Sequence, residues 1–184
     1  MLAKEVVKQS LPLLVICGLG GIITGNFLNA MITIFKEIPG LLIVIPAVIA
    51  LRGNINTTLG SRLGSAYHLG IIGSENIWNA ELRQNIIGSL VLSFVISLII
   101  GILAYISSLI LNIYPNPIIL ISIVILAGGL SGIILVFMTI IIIYIVFKQG
   151  YDPDNITGPA LATFGDIITI LCIFISAILI GGIS

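Results

Sequence analysis

The feature that most constrains this chain is a run of 64 residues, Gln84 to Phe147, without one charged side chain. A soluble domain needs a solvated skin, and roughly 25% of its residues are charged. Here 8% of the 184 residues are charged, 59% are hydrophobic and mean hydropathy is +1.30. That composition excludes a soluble enzyme and a disordered chain. Seven basic and seven acidic residues give a net charge of zero. No basic field exists to hold a phosphate backbone, so no nucleic-acid partner is expected. The chain reads as an all-α integral membrane protein whose solvent is a lipid bilayer.

The charges bracket the spans. A spanning helix needs roughly 20 mostly apolar residues. Gln9 to Phe35 is uncharged and holds one helix, about 11–35, opening at Pro12. It is too long for a signal-peptide core, and no small-residue cleavage site follows. Leu41 to Leu51 is short for a span and either stops short or continues as a helix past Arg52, the second giving about 38–65. The long run divides at Asn112-Ile-Tyr-Pro-Asn-Pro117, a turn with two prolines, into about 85–112 and 118–147. A last span covers about 158–181, with Thr157 as its N-cap and Pro159 in its first turn. The spans are rich in isoleucine, but their length and lack of alternation rule out barrel strands. With the N-terminus inside, Lys4, Lys8, Arg52, Arg62, Arg83 and Lys148 lie on the inner side and only Lys36 on the outer. The positive-inside rule then puts the C-terminus outside. Residues 1–184 are expected to form one transmembrane domain. About ten residues precede the first span, so no separate soluble regulatory domain is expected.

Asp166 is the strongest functional signal. It lies well inside the last span, and no Lys or Arg in any other clear span can pair with it. A carboxylate there costs a few kcal/mol and faces a cavity, a partner or an ion. Pro159, Ala162 and Thr169 share its helical face. That small-residue stripe leaves room for a hydrated cation such as Mg²⁺, which keeps its water and takes few direct ligands. A Na⁺ site or a proton relay would use the same carboxylate, and the stripe alone does not choose among them.

A second signal is Pro46-Ala-Val-Ile-Ala-Leu-Arg-Gly-Asn-Ile-Asn-Thr-Thr-Leu-Gly-Ser-Arg-Leu63, an apolar helix that turns polar. Asn54, Asn56, Thr57, Thr58 and Ser61 offer neutral oxygens, and Gly53 permits close approach or a local break. Arg52 and Arg62 are poor cation ligands and read as anchors at the inner membrane surface. Thr24, Asn26 and Asn29 in the first span fit interhelical hydrogen bonding and a pore equally well. Asp152 and Asp154 fit loop solvation and capping, with a cytoplasmic cation entrance as the functional alternative. Gly129-Leu-Ser-Gly132 has a nucleophile-like spacing, but Ser131 lacks a base, because the single histidine, His68, lies in a polar segment. The chain is therefore not read as an enzyme. Cys17 and Cys172 sit alone in apolar runs and read as small buried side chains.

At these motifs the sequence resembles a known family. Pro46 through Leu63, with Arg52-Gly-Asn54 and Thr58-Leu-Gly-Ser-Arg-Leu63, resembles the signature of the MgtE and solute-carrier family 41 divalent cation transporters. Tyr151-Asp-Pro-Asp-Asn-Ile-Thr157, followed by Ala162-Thr-Phe-Gly-Asp-Ile-Ile-Thr169, is similar to the start of that family's last transmembrane helix. The wording Ser61-Arg-Leu63 and Asp152-Pro-Asp-Asn155 is nearer the solute-carrier branch, and the bacterial pattern has Gly and Gln where this chain has Asn56 and Thr58. The resemblance implies a five-helix magnesium-conducting unit, with the second and fifth helices of two units lining a central pore. It implies that Asp166 binds hydrated Mg²⁺, helped by the backbone carbonyl of Ala162. It places Asn54 by the pore; from the residues themselves, Gly53, Thr58, Thr169, Asn26 and Asn29 are further lining candidates.

One chain supplies one Asp166. A two-fold homodimer would set two carboxylates against one divalent ion. Protons would compete for them, so Mg²⁺ binding is expected to weaken on acidification. Three functions stay open from the sequence: a passive channel for Mg²⁺ or another divalent cation such as Mn²⁺, a Na⁺- or H⁺-coupled exchanger, and a membrane subunit that moves nothing itself. No organic cofactor is expected.

Overall fold

The computed structural model describes residues 3–72, 78–148 and 153–182. Six helices follow in order: α1 Ala3–Ala30, α2 Ile32–Glu37, α3 Leu41–His68, α4 Ala80–Ile110, α5 Pro117–Lys148 and α6 Pro153–Gly181. All but α2 are long and apolar enough to cross a bilayer. The all-α reading with five spans therefore stands, with boundaries shifted by a few residues at most ends.

Two boundaries differ for a physical reason. The first span was expected as one helix over about 11–35, starting at Pro12. Instead α1 runs from Ala3 with Pro12 inside it, and the chain breaks at Met31. Met31 is 1% exposed and, with Ile34 and Ile38, drops its side chain into the core, so the short α2 bends over the bundle end. The last helix begins at Pro153, not at Thr157, so Pro159 is internal. Pro153 takes the first-turn role that the sequence suggested for Pro159, since its missing N–H needs no partner there.

The packing is the inverse of a soluble bundle. Along α4, Ser89, Ser93, Ser97, Gly101, Ala104 and Ser108 face inward, whereas Val91, Phe94, Val95, Leu98 and Ile102 face outward. Lipid offers no hydrophobic drive between helices, so close approach of small residues holds them together. Gly101 lets α4 approach the backbone of Ile121 on α5, where a Cβ would come within 3.2 Å. Helix α6 packs against α1, α3 and α5, and α3 also packs against α4 and α5.

The loops have their own logic. Gly40 sits at φ 83° just before α3, and an added Cβ would meet the Ser108 hydroxyl at 2.7 Å. Glycine therefore meets both the conformational and the steric demand. Asn79 caps α4: its side-chain oxygen accepts from the Leu82 N–H at 2.9 Å, while its amide donates to the Ile71 carbonyl at 2.7 Å. Asn79→Ala is expected to lower stability by about 1 kcal/mol. A thermal unfolding midpoint in detergent equal to that of the wild type would contradict this.

Candidate functional site

The exposed faces of the spans are mostly large and apolar, as on α4. Helix α3 departs from this. Ala47, Ala50, Asn54, Thr57, Thr58 and Ser61 are all exposed among the described residues and lie along one stripe. The helix is continuous through Gly53, which is half-buried, so the local break allowed by the sequence does not occur. Thr57 satisfies its hydroxyl by donating to the Gly53 carbonyl at 2.7 Å. Asn54 and Thr58 line a groove of about 470 Å³ between α3 and α4. A smaller cavity of about 150 Å³, lined by Thr57, Ser61, Gly64, Thr157 and Gly158, joins the stripe to the first half of α6.

Near the middle of α6, Asp166 is half-buried and makes no hydrogen bond or ion pair with any described residue. Ala162, one turn earlier, is exposed, and Pro159 is half-buried. Beyond Asp166 the same face closes. Thr169, Ile170 and Ile173 are fully buried, the isoleucines within the cluster built on Leu41, Val44 and Val48. The expected shared face therefore holds from Pro159 to Asp166, and Thr169 turns inward with it. Along that one face, Asp166 stands where exposed and half-buried residues give way to buried ones.

The remaining candidates are dispersed. Asn26 and Asn29 are exposed on α1, while Thr24 is buried and bonds to the Gly20 carbonyl at 3.0 Å. Asp154 lies in the first turn of α6, where only the backbone is described, and Asp152 falls outside the described residues. Among the described residues no three His, Cys, Asp or Glu side chains form a metal-binding group. Any cation held at Asp166 would keep most of its water, as Mg²⁺ does.

Arg52 corrects the sequence reading. It is not an anchor at the membrane surface but fully buried, 0% exposed, on the face of α3 opposite Asn54. Its Nη1 donates to the Ser93 hydroxyl at 2.6 Å, and its Nη2 donates to the Ser97 hydroxyl at 3.2 Å and the Ser93 carbonyl at 3.4 Å. Gly128 and Gly132 of α5 leave the space that the guanidinium fills. The spacing of Val48, Arg52, Ile55 and Leu59 on one helical face carried that signal. Asn56 is also fully buried, with neither side-chain polar atom paired.

Comparisons with known proteins agree with this architecture. Residues 45–176 match the family model MgtE, described as a divalent cation transporter. The chain is 30% identical over 172 residues to solute carrier family 41 member 2 of Gallus gallus and of Homo sapiens, covering 88% of this chain and 29% of each relative. It is 29% identical over 173 residues to solute carrier family 41 member 3 of Rattus norvegicus, covering 89% of this chain and 36% of the relative. The chain thus spans about a third of the length of these relatives. Five apolar helices and a matched region running from α3 into α6 lead to one conclusion: this is a multi-pass membrane protein that belongs to the MgtE family of divalent cation transporters.

Proposed function

We propose that the chain conducts Mg²⁺ passively through a pore between two copies of itself in the cell membrane. The carrying observation is the Asp166 carboxylate, which pairs with no described residue, on a helix whose first half shares a cavity with Thr57 and Ser61 of the α3 stripe. A small, polar stripe bare to lipid gains little, whereas against a second copy it would enclose a wet path. The two-fold axis would then bring two Asp166 carboxylates to one hydrated ion, with the Ala162 carbonyl beside it. Asn54, Gly53 and Thr58 would line the path on α3. Asn26, Asn29 and Thr169 stand further from it, and Asp152 and Asp154 would draw cations to its mouth.

The unit works as a single five-helix domain with the N-terminus inside. Moving Arg52 to the core leaves Lys4, Lys8, Arg62, Arg83 and Lys148 on one side against Lys36 on the other, and the charge rule still favours that orientation. A membrane potential drives a divalent ion inward by about 4.6 kcal/mol per 100 mV, from about 2.3 per charge. No coupled ion is needed.

The test is Mg²⁺ entry into proteoliposomes of the purified chain, with a membrane potential and with or without Na⁺ or H⁺ gradients. Saturable entry driven by voltage and Mg²⁺ alone is expected. Entry only with a counter-ion gradient would make the protein an exchanger. No entry by folded, dimeric protein would make it a subunit of another transporter.

A further inference from the structure

Two charged residues, Arg52 and Asp166, occupy the interiors of the spans; the other charges in the described helices lie toward the helix ends. Arg52 touches Ser93 and Ser97 near the middle of α4, and Gly128 and Gly132 near the middle of α5. It therefore lies at the midplane of the bundle. A guanidinium stays protonated at physiological pH. Among the described residues no carboxylate pairs with it, and its Nε has no hydrogen-bond partner. Hydroxyls and one carbonyl hold the group in place without cancelling its charge. An intramembrane charge retained at that cost calls for a function.

Its depth can be placed against Asp166. Successive spans alternate in direction, so α3 and α6 are antiparallel. Gly60 of α3 faces Leu161 of α6, where a Cβ would lie 3.3 Å from the Leu161 side chain. Arg52 is eight residues before Gly60, and eight residues after Leu161 is Thr169. Arg52 is thus level with Thr169, and Asp166 lies three residues away along α6, about 4.5 Å of rise. Packed helix axes lie 8–10 Å apart, so the Arg52 and Asp166 backbones are separated by roughly 10 Å, while the guanidinium itself extends from α3 toward α4 and α5.

We propose that Arg52 is a fixed positive charge that weakens the hold of Asp166 on a divalent cation, so that the ion can leave the site as readily as it enters. This rests on Asp166 being the ion site. Conduction requires binding strong enough to enter and weak enough to release. Two ionised Asp166 carboxylates in a dimer would otherwise bind a divalent ion tightly at low permittivity. Two Arg52 guanidiniums, one per chain, balance those carboxylates when the site is empty and oppose the second charge of the ion when it is full. Arg52 does this from behind α3, without obstructing the Asn54 stripe.

The experiment is Mg²⁺ titration by calorimetry on the purified full chain, beside flux in proteoliposomes, for five variants. Arg52→Met removes the charge and keeps the bulk. It is expected to bind Mg²⁺ at least about threefold tighter, the lower bound for one unit charge acting on a divalent ion from somewhat over 10 Å at the permittivity of water, and to saturate flux at lower Mg²⁺ with a lower maximal rate. Ser97→Asp supplies a carboxylate where the Ser97 hydroxyl now meets the guanidinium. It should tighten binding by a similar factor even if Arg52→Met does not fold. Arg52→Lys and Ser97→Ala keep the charge and should stay within about twofold of wild type. A folded Arg52→Met or Ser97→Asp with wild-type affinity would overturn the proposal. So would equal shifts in Arg52→Met and Arg52→Lys, which would mark a packing role. Mg²⁺ binding unchanged in Asp166→Asn would instead remove the ion site itself, and this proposal with it.

Discussion

Asp166→Asn is expected to remove saturable Mg²⁺ entry, lowering flux at least about a hundredfold while leaving the fold intact. Asparagine has the same shape and keeps a neutral oxygen, so packing is unaffected. What goes is one unit of negative charge per chain, two in a dimer, directly beside a divalent ion. In a partly dehydrated path that change amounts to several kcal/mol. Asp166→Glu keeps the charge and should retain part of the flux. Acidification should mimic the asparagine variant, since protonation also removes the charge, so wild-type flux should fall as the pH is lowered. The measurement is dye-reported Mg²⁺ entry into proteoliposomes, with gel filtration to show that each variant is folded. Wild-type flux in Asp166→Asn, or a flat pH profile, would place the ion elsewhere.

The second large effect concerns packing. Gly132→Leu should leave little folded protein, at a cost of about 4 kcal/mol or more. A Cβ at Gly132 would already lie 2.8 Å from the Arg52 Nη1 and 2.9 Å from the Ser93 hydroxyl. A leucine there must evict the guanidinium from its hydrogen bonds. Overpacking a core costs about 1–3 kcal/mol, and each lost bond to a charged group about 1.5–3 more. Gly128→Leu should behave alike, because its Cβ would lie 2.7 Å from the Ser97 Cβ. Gly129 differs. Its neighbour is the Phe94 ring at 2.8 Å, which is largely exposed and can swing away, so Gly129→Ala should be mild. Gly88, with nothing within 4 Å, is the control. Thermal unfolding in detergent reads all four. A Gly132→Leu midpoint close to wild type would show that α4 and α5 separate more easily than this packing implies.

These two predictions draw on different sources. Asp166 was legible in the sequence as a charge inside an otherwise apolar helix; the buried charge of Arg52 near its level was not. The run Gly129-Leu-Ser-Gly132 stood out in the sequence for its small residues, but nothing there named the group that Gly128 and Gly132 pack around. Arg52 was misread because a basic residue beside Gly53 and Asn54, at the point where a helix turns polar, resembles a surface anchor. The serines that receive it lie on another helix, 41 and 45 residues away in sequence. Nothing local to α3 announces them.

The same division runs through the whole molecule. Sequence alone determined the number of spans, their helical nature and their approximate ends, because these follow from how each segment exchanges with solvent. A charge needs water, a hydrocarbon core excludes it, and the length between charges is a count. The fifth helix and its carboxylate were fixed in the same way. Tertiary structure alone decided that Met31 bends the chain into the core, that α6 starts at Pro153, that Thr169 turns inward, and that Arg52 fills the centre of the bundle. Each of these depends on which helix faces which. In lipid that choice is made by close fit and by single hydrogen bonds between residues distant in sequence, and a helical spacing alone does not say which helix will supply the partner.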